Sequence, residues 1–227
     1  MTRGIFVTGT DTGVGKTLVS CALIHALRGR GLRVAPMKPV AAGAIEVDKR
    51  LVSEDTLALL AACSTLKPAA ELVNPFLFRE PMAPHVAAER EGRQITLAPI
   101  LQAFDALATR SDMVVVEGVG GFVVPLGPTI DTRALALALQ LPVVLVVGLR
   151  LGCLNHALLT TEAIRAAGLS LAGWVANAID PAMAVPDDNV AALKARLPAP
   201  LLGRIPFSAD VDPQALSGRL DLAPLLG

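Results

Sequence analysis

Two segments constrain this chain most: Met113-Val114-Val115-Val116 and Val143-Val144-Leu145-Val146-Val147. A strand with one wet face alternates apolar and polar residues, whereas an unbroken Val/Leu run has no polar face to offer water. Such strands need cover on both sides, which a parallel sheet gains from the helices of its crossover connections. Candidate strands at 4–8, 33–38, 112–117, 142–147, 172–177 and 201–205 alternate with helix-compatible stretches at 16–28, 53–62, 96–109, 132–140, 155–167 and 189–196. The alternation predicts an α/β chain of βαβ units, with a mostly parallel sheet flanked by helices on both faces. With 227 residues, 53% of them hydrophobic, and no repeat or compositional break, 1–227 reads as a single domain.

The apolar stretch 134–149 raises the question of a membrane span. Gln140 and Pro142 interrupt it and Arg133 and Arg150 bound it, well short of the about 20 apolar residues a spanning helix needs. Helix, proline break, then buried strand is the expected reading. Lys+Arg and Asp+Glu both number 20, so no net field steers the chain toward nucleic acid or anionic lipid, and neither is expected as a partner. Three scattered cysteines, Cys21, Cys63 and Cys153, without CxxC or ligand spacing read as reduced thiols of a cytoplasmic protein. His25, His85 and His156 have no ligand spacing either, and no Ser/His/Asp or Cys/His arrangement is evident.

The first strand runs into Gly9-Thr10-Asp11-Thr12-Gly13-Val14-Gly15-Lys16-Thr17, and a helix follows. A strict phosphate-binding P-loop has glycine five residues before its Gly-Lys pair; Thr10 stands there, and Gly9 lies one residue further back. The order strand, glycine-rich turn, helix is kept, and that order gives the pattern its physics. Gly13 and Gly15 let backbone N–H groups wrap phosphate oxygens, and the helix N-terminus adds partial positive charge. Lys16 is placed to neutralise β- and γ-oxygens and Thr17 to offer a hydroxyl to Mg²⁺. The fold expectation sharpens to a P-loop NTPase-like one.

A triphosphate brings Mg²⁺, which takes one or two carboxylates besides waters and phosphate oxygens. Glu117 ends a buried strand and leads into Gly118-Val119-Gly120-Gly121, so its carboxylate is poised over the phosphate loop. Asp55, in the first turn of a candidate helix, is a weaker metal candidate, since acids are favourable there anyway. Lys38 ends the second strand before Pro39 and would bring a second cation to charge developing on phosphate and attacking oxygen. The stretch 74–99, with prolines at 75, 81, 84 and 99, reads as a long functional loop containing a short helix.

These residues together resemble the dethiobiotin synthetases. The resemblance rests on Phe6 to Thr17, Lys38-Pro39-Val40, Asp55, Asn74-Pro75, Pro84-His85, Glu117 to Gly121, Leu151-Gly152-Cys153-Leu154-Asn155-His156, Gly173-Trp174-Val175-Ala176-Asn177 and Leu201 to Pro206, in order along 4–207. It implies an ATP- and Mg²⁺-dependent homodimer that takes 7,8-diaminopelargonic acid, CO₂ (or bicarbonate) and ATP to dethiobiotin, ADP and phosphate. A carbamate and a carbamic–phosphoric anhydride are the implied intermediates. It further implies catalytic roles for Lys16, Lys38 and Thr12, and a metal set of Thr17, Asp55 and Glu117. ATP would be met by Gly13, Val14, Gly15, Lys16, Thr17, Leu18, Asp55, Glu117, Gly118, Val119 and Gly120, with Asn177, Pro206, Phe207 and Ser208 toward adenine. Substrate would be met by Lys38 and Ala42, and by Gly152, Cys153, Leu154 and Asn155 across the dimer interface. Ala42 departs from the family, which often has Ser or Thr there.

Other readings of the loop fit less well. Partition and division-positioning ATPases carry a signature lysine where Asp11 stands, and the amide-forming synthases of the cobyric-acid branch add a glutaminase domain for which this length leaves no room. An inactive scaffold has no reason to keep Lys16, Lys38, Asp55 and Glu117.

Overall fold

The computed structural model describes residues 4–63, 66–208 and 211–226. The first half of the chain runs β1 (Gly4–Gly9), α1 (Lys16–Gly29), β2 (Val34–Met37), β3 (Val40–Ala42), β4 (Ile45–Val47), β5 (Arg50–Val52), α2 (Glu54–Ala62) and α3 (Ala70–Val73). Then come β6 (Phe76–Phe78), α4 (Pro84–Arg90), α5 (Leu97–Ala108), β7 (Met113–Glu117), α6 (Thr132–Leu139) and β8 (Val143–Leu149). The last part holds α7 (Cys153–Ala166), β9 (Leu171–Ala178), α8 (Pro186–Lys194), β10 (Leu201–Ile205), α9 (Pro213–Leu216), a 3₁₀ turn at Ser217–Arg219 and α10 (Ala223–Leu226).

Six strands form one sheet in the order β10-β9-β8-β1-β7-β2. Every pairing in it is parallel. The unbroken runs behave as their composition demands: β1, β7 and β8 are buried at every residue. Val114 and Val116 enter one core cluster with Phe6 and with Ile100 and Leu107 of α5. Met113 and Val115 point the other way, into a cluster with Ile5, Val7 and the α1 residues Leu23, Ile24 and Leu27. Each such side chain contributes about 1.5–3 kcal/mol on burial, and the two-sided cover doubles the number that do so per strand. Farther along the sheet, Trp174 and Leu145 pack against α7 and α8.

Parallel pairing puts the carboxyl ends of all six strands on one edge. The strands diverge to either side of β1, toward β7 and β2 on one hand and β8 to β10 on the other. A sheet of this kind binds ligands beyond that edge, at the point of divergence. No helix among the described residues is long and apolar enough to cross a membrane. The stretch 134–149 divides as expected, with α6 closed by Gln140 in the left-handed conformation (φ 53°) and β8 following.

Sequence and structure differ mainly at element ends. The predicted second strand, 33–38, stops at Met37, so Lys38 follows the strand instead of ending it. Helix α7 begins at Cys153 and α8 at Pro186, earlier than the predicted 155 and 189. The stretch 74–99 holds β6 as well as a short helix, α4.

Candidate active site

The turn after β1 wraps into α1, whose N-cap is Gly15 at φ 87°. Lys16 opens the helix, is 7% exposed, and donates from Nζ to the Asp11 carbonyl at 3.0 Å. Thr17 projects its hydroxyl toward two carboxylates, 2.9 Å from Asp55 Oδ1 and 2.9 Å from Glu117 Oε1. Lys38 lies between the same two acids, its Nζ 2.6 Å from Glu117 Oε1 and 2.7 Å from Asp55 Oδ2. It also donates to the Gly118 carbonyl at 3.3 Å. The expected convergence of Lys38, Asp55 and Glu117 on the phosphate loop is therefore present.

Each side chain is carried there by its element. Glu117 is the last residue of β7 and fully buried. Lys38 is fixed through both of its backbone polar groups: its N–H donates to the Val73 carbonyl at 2.7 Å, and its carbonyl accepts from Asn74 Nδ2 at 2.7 Å. Asp55 sits in the first turn of α2, whose N-terminus favours a carboxylate.

Burial and charge tune these groups. Burial first, and then repulsion from Lys38, bring the Lys16 ammonium down to about 8. Burial acts to lower Lys38 as well, but Glu117 and Asp55 outweigh it and hold its pKa above the ordinary lysine value. Burial would raise the Asp55 carboxyl; Lys38 and the Thr17 hydroxyl instead hold it below the usual range.

The donor set fits Mg²⁺. One hydroxyl and two carboxylates face one another, and the buried Glu117 Oε2 has no hydrogen-bond partner. Among the described residues no group of three or more His, Cys, Asp or Glu side chains gathers. A metal at this place would thus complete its shell with phosphate oxygens and water, as Mg²⁺ commonly does.

A cleft of about 950 Å³ opens over these groups. Its walls include Thr12, Gly13, Gly15, Lys16, Thr17 and Lys38, with Ala42, Asp55, Glu117, Val119 and Gly120. The 74–99 stretch supplies a wall at Pro81 to Pro84, as its proline content suggested. Gly118 is held just below, its N–H on the Val7 carbonyl at 2.9 Å. Val14 and Leu18 do not line the cleft; Val14 is 1% exposed with its side chain in the core, so only its backbone can serve a nucleotide.

Asn177, Pro206, Phe207 and Ser208 also lie outside that cleft. Asn177 is buried at the end of β9, and Phe207 is half exposed beyond β10. Gly152, Cys153, Leu154 and Asn155 form the start of α7, away from the cleft of their own chain. One contact was not read from sequence: Arg150, just after β8, forms an ion pair with Asp11 of the phosphate loop. Nothing local announces a pair separated by 139 positions.

Comparison with known proteins identifies relatives of the chain as a whole. A protein-family model described as an AAA domain matches residues 3–215. Among solved structures, the septum site-determining protein MinD with Mg-ADP from Pyrococcus horikoshii OT3 superposes with a TM-score of 0.57, at 17% identity over 99% of this chain and 89% of that one. A ParA family ATPase from Chlorobium tepidum TLS gives 0.54, at 15% identity over 98% and 93%. At such identity these share the fold alone. Sequence relatives are far nearer. The ATP-dependent dethiobiotin synthetase BioD of Ralstonia nicotianae is 55% identical over 97% of this chain and 96% of its own length. That of Aromatoleum aromaticum is 52% identical over 97% of both. The chain belongs to the ATP-dependent dethiobiotin synthetase family.

Proposed function

We propose that this chain is an ATP-dependent cyclo-ligase that makes dethiobiotin from 7,8-diaminopelargonic acid, CO₂ and ATP, releasing ADP and phosphate. The observation that carries the reading is the meeting of Thr17, Lys38, Asp55 and Glu117 beside the phosphate loop, in a chain more than half identical to a named dethiobiotin synthetase.

The chemistry proceeds in three bond changes. One amine of the diamine adds to CO₂ and loses a proton, leaving a carbamate. A carbamate oxygen attacks the γ-phosphorus; the bond from phosphorus to the β,γ-bridging oxygen breaks, and ADP departs with the electron pair. The second amine attacks the carbonyl carbon, the bond from that carbon to the phosphate oxygen breaks, a proton is lost, and phosphate leaves the closed ureido ring.

The residues divide this work. Gly13 to Thr17 wrap the triphosphate, with Lys16 drawn toward its β- and γ-oxygens. Depressed to about 8 in the free protein, Lys16 regains its proton affinity beside those anions. Lys38 lies deep in the cleft, 3% exposed, where its charge stabilises the carbamate and the transferring phosphoryl group. Thr12, exposed at the rim, faces the amine and carbamate. Thr17, Asp55 and Glu117 would hold Mg²⁺, which when bound neutralises phosphate charge and aligns the γ-phosphoryl group. Asn177 and Pro206 to Ser208 lie toward the adenine. Gly152 to Asn155 would hold the substrate carboxylate from a second copy of the chain; the 95%-exposed Leu151 and the exposed Leu159 beside them fit a surface covered in a dimer. Cys21, Cys63 and Cys153 are buried, and buried thiols without ligand spacing are compatible with the cytoplasm.

The test is phosphate release with ATP, Mg²⁺ and bicarbonate, with and without the diamine. Release that requires the diamine is expected. Hydrolysis indifferent to the diamine and stimulated by DNA or lipid would overturn the reading in favour of a switch ATPase.

A further inference from the structure

Beyond any contact with adenine, we infer that Asn177 is a positioning residue for the phosphate loop, clamping it to a strand two places away in the sheet. Asn177 stands on β9, in register with Gly148 of β8 and Ile205 of β10. Strand β8 separates β9 from β1, whose end begins the loop. The Asn177 side chain nevertheless reaches the loop: its Nδ2 donates to the Val14 carbonyl at 2.8 Å, with Asn177 4% and Val14 1% exposed.

Two glycines make this reach possible. Gly148 occupies the intervening strand, and a Cβ there would come within 2.8 Å of the Val14 side chain. Gly15 follows the clamped carbonyl; a Cβ there would lie 2.2 Å from Asn177 Nδ2. Glycine at 15 is thus required twice, by its φ of 87° and by the amide packed against it. Val14 is fixed by its side chain in the core and by its carbonyl on Asn177, and Lys16 and Thr17 follow directly. The clamp therefore sets where the helix N-terminus and both phosphate-facing side chains begin. A buried donor–acceptor pair of this kind is expensive to break, because the carbonyl left behind has no water to turn to.

The inference rests on the reading that ATP binds at this loop, and the probe is chosen to separate the two. Inorganic tripolyphosphate with Mg²⁺ carries the phosphates without the base. Its affinity and that of ATP are measured calorimetrically for the wild type, Asn177→Ala and Asn177→Asp. Amide exchange across 13–17 and 113–117 is followed in the nucleotide-free proteins. A clamp predicts that both variants bind tripolyphosphate about tenfold more weakly or worse, with faster exchange in 13–17 and unchanged exchange in 113–117. Tripolyphosphate affinity and loop exchange like the wild type's, with only ATP weakened, would overturn the clamp and leave Asn177 as a base contact. A wild type that binds neither ligand overturns the ATP reading itself. If it binds ATP but not tripolyphosphate, loop exchange alone decides. Should Asn177→Ala not fold, Asn177→Ser gives the same test, its side chain being too short to reach Val14.

Discussion

At the scale of single residues, the functional groups legible in the sequence were those that strand ends place automatically. Lys16 and Thr17 follow a strand and a glycine turn, Glu117 ends a strand and Lys38 comes directly after one, so a parallel sheet brings them to one edge. Asp55 was not legible from position, because an acid in a first helical turn has a sufficient local reason to be there; only resemblance gave it a metal role. The Asp11–Arg150 pair and the Asn177–Val14 bond span 139 and 163 positions, and no periodicity encodes such contacts. Lys38 invites the sharpest test. Lys38→Ala should lower kcat at least ~100-fold, about 2.7 kcal/mol of transition-state stabilisation, while KM for ATP stays within a few-fold; steady-state kinetics checks this. Equal losses in both would remove Lys38 from the chemistry. Ala42, half-buried at the end of β3 and lining the cleft, offers the opposite experiment. Ala42→Ser should lower the diamine KM by roughly two- to tenfold, the worth of about 0.5–1.5 kcal/mol in one hydrogen bond. A raised KM would mean that the site has no room for the hydroxyl.

At the scale of elements, long pieces were legible and short ones were not. The runs in β7 and β8 announce themselves by composition, and the break at Gln140 and Pro142 correctly divides helix from strand. The hairpin β4–β5 was missed because its three-residue strands carry no usable period, and β4 is wholly exposed. The early start of α8 had a visible signal, Pro186 at the first turn, where a fixed φ suits a helix. Helix α1 is a subtler case. It buries Val19, Ser20, Cys21, Ala22, Leu23 and Ile24 in succession, so its helical character was readable from the loop before it more than from any apolar stripe. That burial has a consequence in alkali. Desolvation, with Glu117 and Asp55 adding to it, pushes the Cys21 thiol from 9.0 up to about 12. Below pH 9 the thiol is protonated in both folded and unfolded chains and costs nothing. Between pH 9 and about 12 the unfolded chain releases this proton and the native one does not, so stability falls as pH rises, by about 1.4 kcal/mol per unit from this group. Urea unfolding at pH 8 and pH 10 should show the decline, and Cys21→Ala should make it shallower. An identical decline in the variant would place its origin elsewhere.

At the scale of the whole molecule, the fold and the site oppose each other electrostatically. The sheet edge collects Lys16, Lys38 and Glu117 in a region largely withdrawn from water, with Asp55 at its half-exposed margin. The descent of Lys16 from 10.5 to about 8 records the strain: an ammonium is held where burial and a neighbouring ammonium both disfavour it. Mg²⁺ and a triphosphate would relieve this from both sides, the anion answering Lys16 while the metal answers Glu117 and its unpartnered oxygen. Because those groups belong to β1–α1, α2, β7 and the segment after β2, relief at the site should be felt as stability of the whole. Ligand at 100 times its Kd adds about 2.7 kcal/mol, and in a chain of this size each kcal/mol moves Tm by roughly 2–4 °C. Mg·ATP at that concentration should therefore raise Tm by roughly 5–11 °C in a thermal melt. ATP with EDTA should raise it less, since Asp55 and Glu117 then face the triphosphate without a divalent cation between them. Lys16→Ala should lose most of the Mg·ATP shift. If Mg·ATP moved the melting of the wild type and Lys16→Ala equally, the nucleotide would be binding somewhere other than the edge where these charges meet.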